Sequence, residues 1–298
     1  MSAASVPEPA ASVPEPVASV PEPVEGTFAS TSSANGAASV PEPVEGTFAS
    51  TSSANGSAST RTALVLRHDS AIGLGNLGPT LEAHGYRIVT VDAPHEDVTA
   101  LDALAPDLVV VLGGDEGAYE TDRYPYLADE IELLRTRIDA EAPIFGVCLG
   151  AQMLAKTLGA DVRKGPRKEV GWLTVEPTEA GAASPVRHFD GVPTVQWHGD
   201  TFDLPEGVER LATSPQYENQ AFARGDWLLA VQFHPEITDE IHEDWLAAWG
   251  DELPEYGLSR EQLRAERALN GPRAQAASAA LLSEYLDGLE ARRDRKVA

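Results

Sequence analysis

The chain has 298 residues, with 22 Lys and Arg against 47 Asp and Glu, a net charge of −25, and a single cysteine. One cysteine excludes an intramolecular disulfide and a Cys-based structural zinc site, and the acidic balance argues against nucleic-acid or anionic-membrane surfaces, which need dense Lys and Arg. No run of about 18 apolar residues occurs, and the start MSAASVPEP lacks a basic region and an apolar core, so neither a spanning helix nor a secretory signal is expected, and a soluble cytoplasmic protein is.

Residues 18–36 and 38–56 are the same nineteen-residue string, ASVPEPVEGTFASTSSANG, and SVPEP also begins at Ser5 and Ser12. Pro, Ser, Ala and Gly dominate this stretch, and six glutamates are its only charges. Such a segment cannot bury enough apolar surface to offset its ordering entropy. Residues 1–57 therefore read as a disordered low-complexity tail; a stacked repeat array would need apolar faces, and none is present. The remainder, 58–298, holds 41 acidic and 22 basic residues and reads as one domain, with a helical extension over about 251–298.

Ala63–Arg67, Tyr86–Val91, Asp107–Leu112 and Pro143–Val147 are near-continuous apolar runs, as expected of strands covered on both faces. Helical segments are expected at 76–84, 124–141 and 149–158; in the second, Leu127, Ile131, Leu134 and Ile138 fall on one helical face. This alternation predicts an α/β fold with an open, mostly parallel sheet flanked by helices and joined by right-handed crossovers. Further strands are expected at Val170–Val175, Pro193–Trp197, Val208–Ala212 and Trp227–Phe233. Beyond Thr238 the chain turns helical, and Leu281, Leu282, Tyr285, Leu286 and Leu289 form a stripe expected to dock on the body. The terminal RRDRKVA reads as a solvated helix end, where positive charge suits the dipole.

Cys148 sits in Gly146-Val-Cys148-Leu-Gly150, after the run PIFGV and before the helical LGAQMLAKTLG. A nucleophile flanked by glycines at a strand-to-helix junction is the pattern of a nucleophile elbow, where the glycines allow the tight turn. The helix amino terminus favours thiolate over thiol. A free cysteine is otherwise most often a small buried hydrophobe. A thiol nucleophile needs a base, and the base needs an orienting acid. His234 ends the apolar strand WLLAVQF in Gln232-Phe-His234-Pro-Glu236, so the strand delivers it to the carboxyl edge of the sheet. Pro235 keeps His234 extended, and in extended chain positions i and i+2 share a side, so Glu236 can reach the imidazole. His68, His84, His95, His188 and His242 read as loop or helix-face residues without neighbouring chemistry.

The loop Val111-Leu-Gly113-Gly114-Asp115 follows the third strand, and its backbone N–H groups could hold an oxyanion together with that of Leu149. Gln196-Trp-His198-Gly199-Asp200 ends another strand and could face a polar substrate. A competing motif, Gly73-Leu-Gly75-Asn-Leu-Gly78 with Asp92 nineteen residues after Gly73, outlines a dinucleotide fingerprint. Its first glycine comes about six residues after the strand, where the fingerprint starts at the strand itself, so a loop entering a helix is the better reading.

GVCLGAQ, VQFHPE, the VLGGD loop and QWHGD, in this order and spacing, resemble the class I (triad) glutamine amidotransferase family, especially the amidotransferase domain of GMP synthase and its stand-alone relatives. The resemblance covers roughly residues 62–250 and implies a flavodoxin-like fold. It implies that Cys148 attacks the side-chain amide of glutamine to give a γ-glutamyl thioester and ammonia, with His234 as base and then acid, and Glu236 orienting it. The N–H groups of Gly114 and Leu149 would form the oxyanion hole. Gln152 matches a glutamine-contacting residue, and His198, Gly199 and Asp200 match the loop holding the amino-acid end of the substrate; Val170-Gly-Trp172 resembles the strand between them. No metal or cofactor is implied. Where the family often has proline after the paired glycines, this chain has Asp115-Glu116, two carboxylates beside the oxyanion loop.

No S-G-G-x-D-S pyrophosphate loop occurs, and about 48 residues follow residue 250, so ammonia would pass to a separate synthetase subunit, a small acceptor or water. Nucleic acid and membrane are not expected partners. A second reading keeps the triad but makes the chain a γ-glutamyl hydrolase or peptidase, differing only in the leaving-group pocket. A third, a catalytically silent binding domain, is disfavoured by the intact Cys148, His234 and Glu236.

Overall fold

The computed structural model describes residues 61–297; the repeat tail and its expected disorder lie outside the described residues. Strands β1 (Arg61–Arg67), β2 (Tyr86–Asp92), β3 (Leu108–Val111) and β4 (Ile144–Val147) alternate with helices α1 (Leu77–Ala83) and α2 (Pro125–Asp139), and α3 (Leu149–Thr157) follows β4. Every residue of β3 and β4 is buried, as is Ala63–Leu66 in β1, which is why these runs lack polar alternation. Each fully enclosed aliphatic side chain contributes about 1.5–3 kcal/mol. The second half supplies β5 (Val162–Leu173), β6 (Glu176–Pro177), α4 (Glu179–Ala182), β7 (Thr194–Phe202), β8 (Glu209–Thr213), β9 (Ala221–Arg224) and β10 (Leu228–Val231), then α5 (Asp239–Trp249) and α6 (Arg260–Val297).

The main sheet has the order β2-β1-β3-β4-β10-β9-β8-β6. Its first five strands are parallel, and β9, β8 and β6 extend it in antiparallel fashion. The chain moves one way across the sheet from β1 to β2 and the other way from β3 to β4, so right-handed crossovers place α1 and α2 on opposite faces. Accordingly α1 packs with α6, and α2 with α3. β5 and β7 form a separate antiparallel pair.

Two features of this architecture position the site. β10 pairs directly with β4, with Val231 opposite Val147, so the segments leaving both strands emerge side by side at the carboxyl edge. The stripe Leu281, Leu282, Tyr285, Leu286 and Leu289 of α6 is buried, and the Tyr285 hydroxyl lies 2.8 Å from the Ile144 carbonyl and 2.6 Å from that of Trp227, beneath those same two strands. The strand expected over Trp227–Phe233 is assigned over Leu228–Val231, with Gln232 N–H still donating to the Gln220 carbonyl in register with β9, and β9 is an addition the sequence pattern did not suggest.

Candidate functional site

Cys148 caps the start of α3 at φ 50°, ψ −106°, a backbone region that a non-glycine residue rarely occupies. The strain is held from both sides: Cys148 N–H donates to the Val231 carbonyl at 2.9 Å, and its own carbonyl accepts from Gln152 N–H. The flanking glycines leave no room for side chains. A Cβ on Gly150 would run into the Val111 backbone, and one on Gly146 would lie 2.6 Å from Leu154 and 2.9 Å from the Gly150 carbonyl. The turn expected from the sequence is thus required by helix and strand closing on it.

His234 lies three residues past β10. Its N–H donates to the Val195 carbonyl, Trp245 meets its ring edge-on at 4.6 Å, and its Nδ1 lies 2.7 Å from Glu236 Oε1. Both side chains are enclosed, and Nε2 has no hydrogen-bond partner among the described residues. Burial alone would lower the proton affinity of His234; the charge of Glu236, and after it that of Cys148, outweighs burial and pushes the imidazole up to about 10. A Cβ on Gly113 would sit 3.3 Å from His234 Cε1 and 3.5 Å from Cys148 Cβ, so thiol, imidazole and glycine loop converge at one point.

Gln232 joins this group, although its place in the sequence drew no attention to it. Its Nε2 donates to Cys148 Sγ at 3.4 Å, and its Oε1 accepts from Gln152 Nε2 at 3.2 Å. The signal was present, since Gln232, His234 and Glu236 are alternate residues of one extended segment. Asn76 was also missed: its amide donates to the carbonyls of Pro235 and Ile237, while its N–H donates to that of Glu236. Gly75, at φ +42°, lets this loop in, because a Cβ there would collide with the Glu236 carbonyl oxygen. The Gly73–Gly78 motif thus braces the His234–Glu236 segment, which accounts for its glycine without a nucleotide.

A cleft of about 520 Å³ opens over the thiol, with Gly114, Gln152, His198, Gly199 and Asp200 in its wall. Leu149 is the first residue of α3, where leading N–H groups lack intrahelical partners. His198 in β7 is fixed by the Asp200 carbonyl at Nδ1 (3.0 Å) and by Glu169 at Nε2 (3.1 Å). Burial would raise Glu169, but hydrogen bonds from His198, Ser214 and Gln220 hold it below the usual carboxylate range. Burial and the neighbouring Asp200 carboxylate push the Tyr119 phenol up to about 12, across the cleft mouth. Asp115 and Glu116 diverge: Asp115 accepts from the Trp249 indole at 3.0 Å, and Glu116 accepts from the Tyr126 hydroxyl at 2.6 Å. Val170 and Trp172 are buried in β5. Among the described residues no group of three or more His, Cys, Asp or Glu is arranged to hold a metal, and none of the described helices is long and apolar enough to cross a membrane.

Residues 76–249 match the family model described as glutamine amidotransferase class-I. The chain belongs to this family. A glutamine amidotransferase of Thermotoga maritima, known from a crystal structure, is 33% identical and superposes with a TM-score of 0.70, covering 76% of this chain and 98% of its own. The glutamine amidotransferase-like protein YfeJ of Salmonella typhimurium is 32% identical over 186 residues, covering 59% of this chain and 76% of that protein. A glutamine-hydrolysing GMP synthase of Thermomicrobium roseum is 37% identical over 163 residues, 53% of this chain but only 28% of the synthase. The open, mostly parallel sheet and its flanking helices are the class I amidotransferase fold.

His68 overturns one expectation. It is not a loop histidine without neighbouring chemistry, because it leaves β1 at the carboxyl edge and is buried against Gly113 and Glu130.

Proposed function

We propose that the chain hydrolyses glutamine, with Cys148 as nucleophile, His234 as base and acid, and Glu236 orienting it. The observation that carries this reading is a buried imidazole whose Nδ1 is held by Glu236 at 2.7 Å while Nε2 is left open beside the thiol at the head of α3. His234 takes the proton of Cys148, the sulfur attacks the side-chain amide carbon, and the carbonyl oxygen, as it gains charge, takes the N–H groups of Gly114 and Leu149. His234 gives its proton to the departing nitrogen, ammonia leaves, and a γ-glutamyl thioester remains. Water then gives a proton to His234 and its oxygen to the thioester, releasing glutamate and restoring the thiol pair. Gln152, His198, Gly199 and Asp200 bind the rest of the substrate from the cleft wall. Ammonia passes to a separate synthetase subunit, a small acceptor or water. The test is ammonia release from glutamine by the purified protein and by Cys148→Ala: activity in the first and none in the second supports the reading, and equal activity overturns it.

The cleft volume favours keeping a second substrate class in the test. About 520 Å³ lies within the range that takes drug-sized ligands, more than one amino acid fills. A γ-glutamyl amine or peptide would leave through the same thioester. Cleavage of such a compound far faster than glutamine would make the chain a γ-glutamyl hydrolase.

A further inference from the structure

We propose that His68, braced by Glu130, locks the Gly113–Gly114 peptide so that its N–H points into the cleft, making His68 a positioning residue for the oxyanion. The proposal rests on the glutaminase reading and adds to it the device that aims the Gly114 donor.

His68 Nδ1 lies 2.9 Å from the Gly113 carbonyl oxygen, and Nε2 lies 3.1 Å from Glu130 Oε2. Both side chains are wholly enclosed. The Gly113 carbonyl can only accept, so Nδ1 carries hydrogen and donates to it, and with Glu130 ionised Nε2 carries one as well, making the ring an imidazolium. Burial opposes that charge, but the Glu130 carboxylate, the Gly113 carbonyl and Glu116 outweigh it and hold the imidazole above its ordinary value. In a trans peptide C=O and N–H point in opposite directions. A charged donor fixed on the Gly113 oxygen therefore fixes the Gly114 N–H on the other side, where Gly114 lines the cleft. The same bond polarises the peptide and strengthens the N–H as a donor.

Among the described residues His68 Nδ1 is the one hydrogen-bond partner of the Gly113 carbonyl. A Cβ on Gly113 would stand tightly at 3.3 Å from His234 Cε1, and one on Gly114 would stand 2.7 Å from Leu149 Cδ2 and 2.9 Å from His68 Cβ. Two glycines in sequence are free to rotate, so the restraint must come from outside the loop. A buried ion pair is weak evidence for stability; one aimed at the peptide that must not turn has a reason to be there.

The test uses His68→Ala, His68→Asn, whose amide can still donate to the Gly113 carbonyl, and Glu130→Gln. Three quantities are read: kcat and KM for glutamine, affinity for the γ-semialdehyde of glutamate, which adds to the thiol and places its oxygen as the oxyanion, and the rate of Cys148 alkylation by iodoacetamide, which needs no oxyanion donor. His68→Ala is expected to lower kcat about 100-fold, near the loss seen when one oxyanion donor is removed. KM and alkylation should stay within about threefold, with aldehyde affinity falling alongside kcat. His68→Asn should recover about tenfold of that loss, and Glu130→Gln should lie between wild type and His68→Ala. A folded His68→Ala with unchanged kcat and aldehyde affinity overturns the proposal, as does a parallel fall in alkylation, which signals general damage. If His68→Ala does not fold, wild-type kcat in both folded His68→Asn and Glu130→Gln overturns it. Failure of the glutaminase reading looks different: the wild type itself would release no ammonia and bind no aldehyde.

Discussion

Two buried histidine–glutamate pairs meet at Gly113, and they differ in what is done with the second ring nitrogen. In His234–Glu236 the carboxylate takes Nδ1 and leaves Nε2 unpartnered beside the thiol. In His68–Glu130 the carboxylate takes Nε2 and the Gly113 carbonyl takes Nδ1. The same two residue types therefore leave one ring nitrogen open in one place and tie down both in the other. In both, a carboxylate outweighs burial and raises the imidazole; the presence or absence of a second acceptor separates their roles.

The largest expected effect breaks the first pair's target. Cys148→Ala should cut ammonia release from glutamine by at least about 10⁴-fold, measured with a coupled ammonia assay, because no other thiol is present. Glu236→Gln keeps the shape of the first pair but removes its charge, and kcat should fall about 100-fold. It also removes the main influence raising His234, and the sign is fixed by linkage. A folded value of about 10 against an ordinary 6.5 contributes stability that is complete below about 6.5 and lost as pH rises through about 10. Denaturant unfolding should therefore show the wild type's advantage over Glu236→Gln at mildly acid pH and a shrinking difference toward alkaline pH. A constant gap would mean that Glu236 is not the source of the shift.

Gln232→Leu tests whether the nucleophile depends on the amide chain through Gln152 as well as on His234. Loss of the N–H···S contact at 3.4 Å should slow both turnover and Cys148 alkylation about tenfold. Gly75→Ala attacks the brace behind His234–Glu236 and leaves His68–Glu130 alone. With φ at +42° and no room before the Glu236 carbonyl, it should cost about 2–4 kcal/mol in thermal or denaturant unfolding. The smallest effect is expected from Thr238→Ala, which removes the hydroxyl accepting from Ile241 N–H at the head of α5 and should cost about 1 kcal/mol.

How much was legible beforehand depended on how local each arrangement is. Cys148 with its glycines and His234 with Glu236 are contacts between neighbours in sequence, so spacing and strand geometry suffice to pair them. The run Asp107–Leu112 announced β3 because a strand buried on both faces must be apolar throughout. Gln232 was legible in principle, being in phase with His234. His68 and Glu130 are 62 residues apart, and Glu130 lies on the α2 face between Leu127 and Ile131, where a carboxylate breaks the apolar pattern without naming its partner. Gly75 carried a misleading pattern, since the same freedom of φ serves a phosphate turn or the close approach of another chain segment.

The sequence by itself determined the alternation of strands and helices, the elbow around Cys148 and the coupling of Glu236 to His234, because each follows from periodicity or from side chains a few residues apart. Only the tertiary structure decided that β10 lies against β4, bringing thiol and imidazole to one edge, and that His68 and Glu130 close on Gly113. Those choices are made by packing between elements distant in the chain, where burial energy is shared among many residues and no single spacing records it.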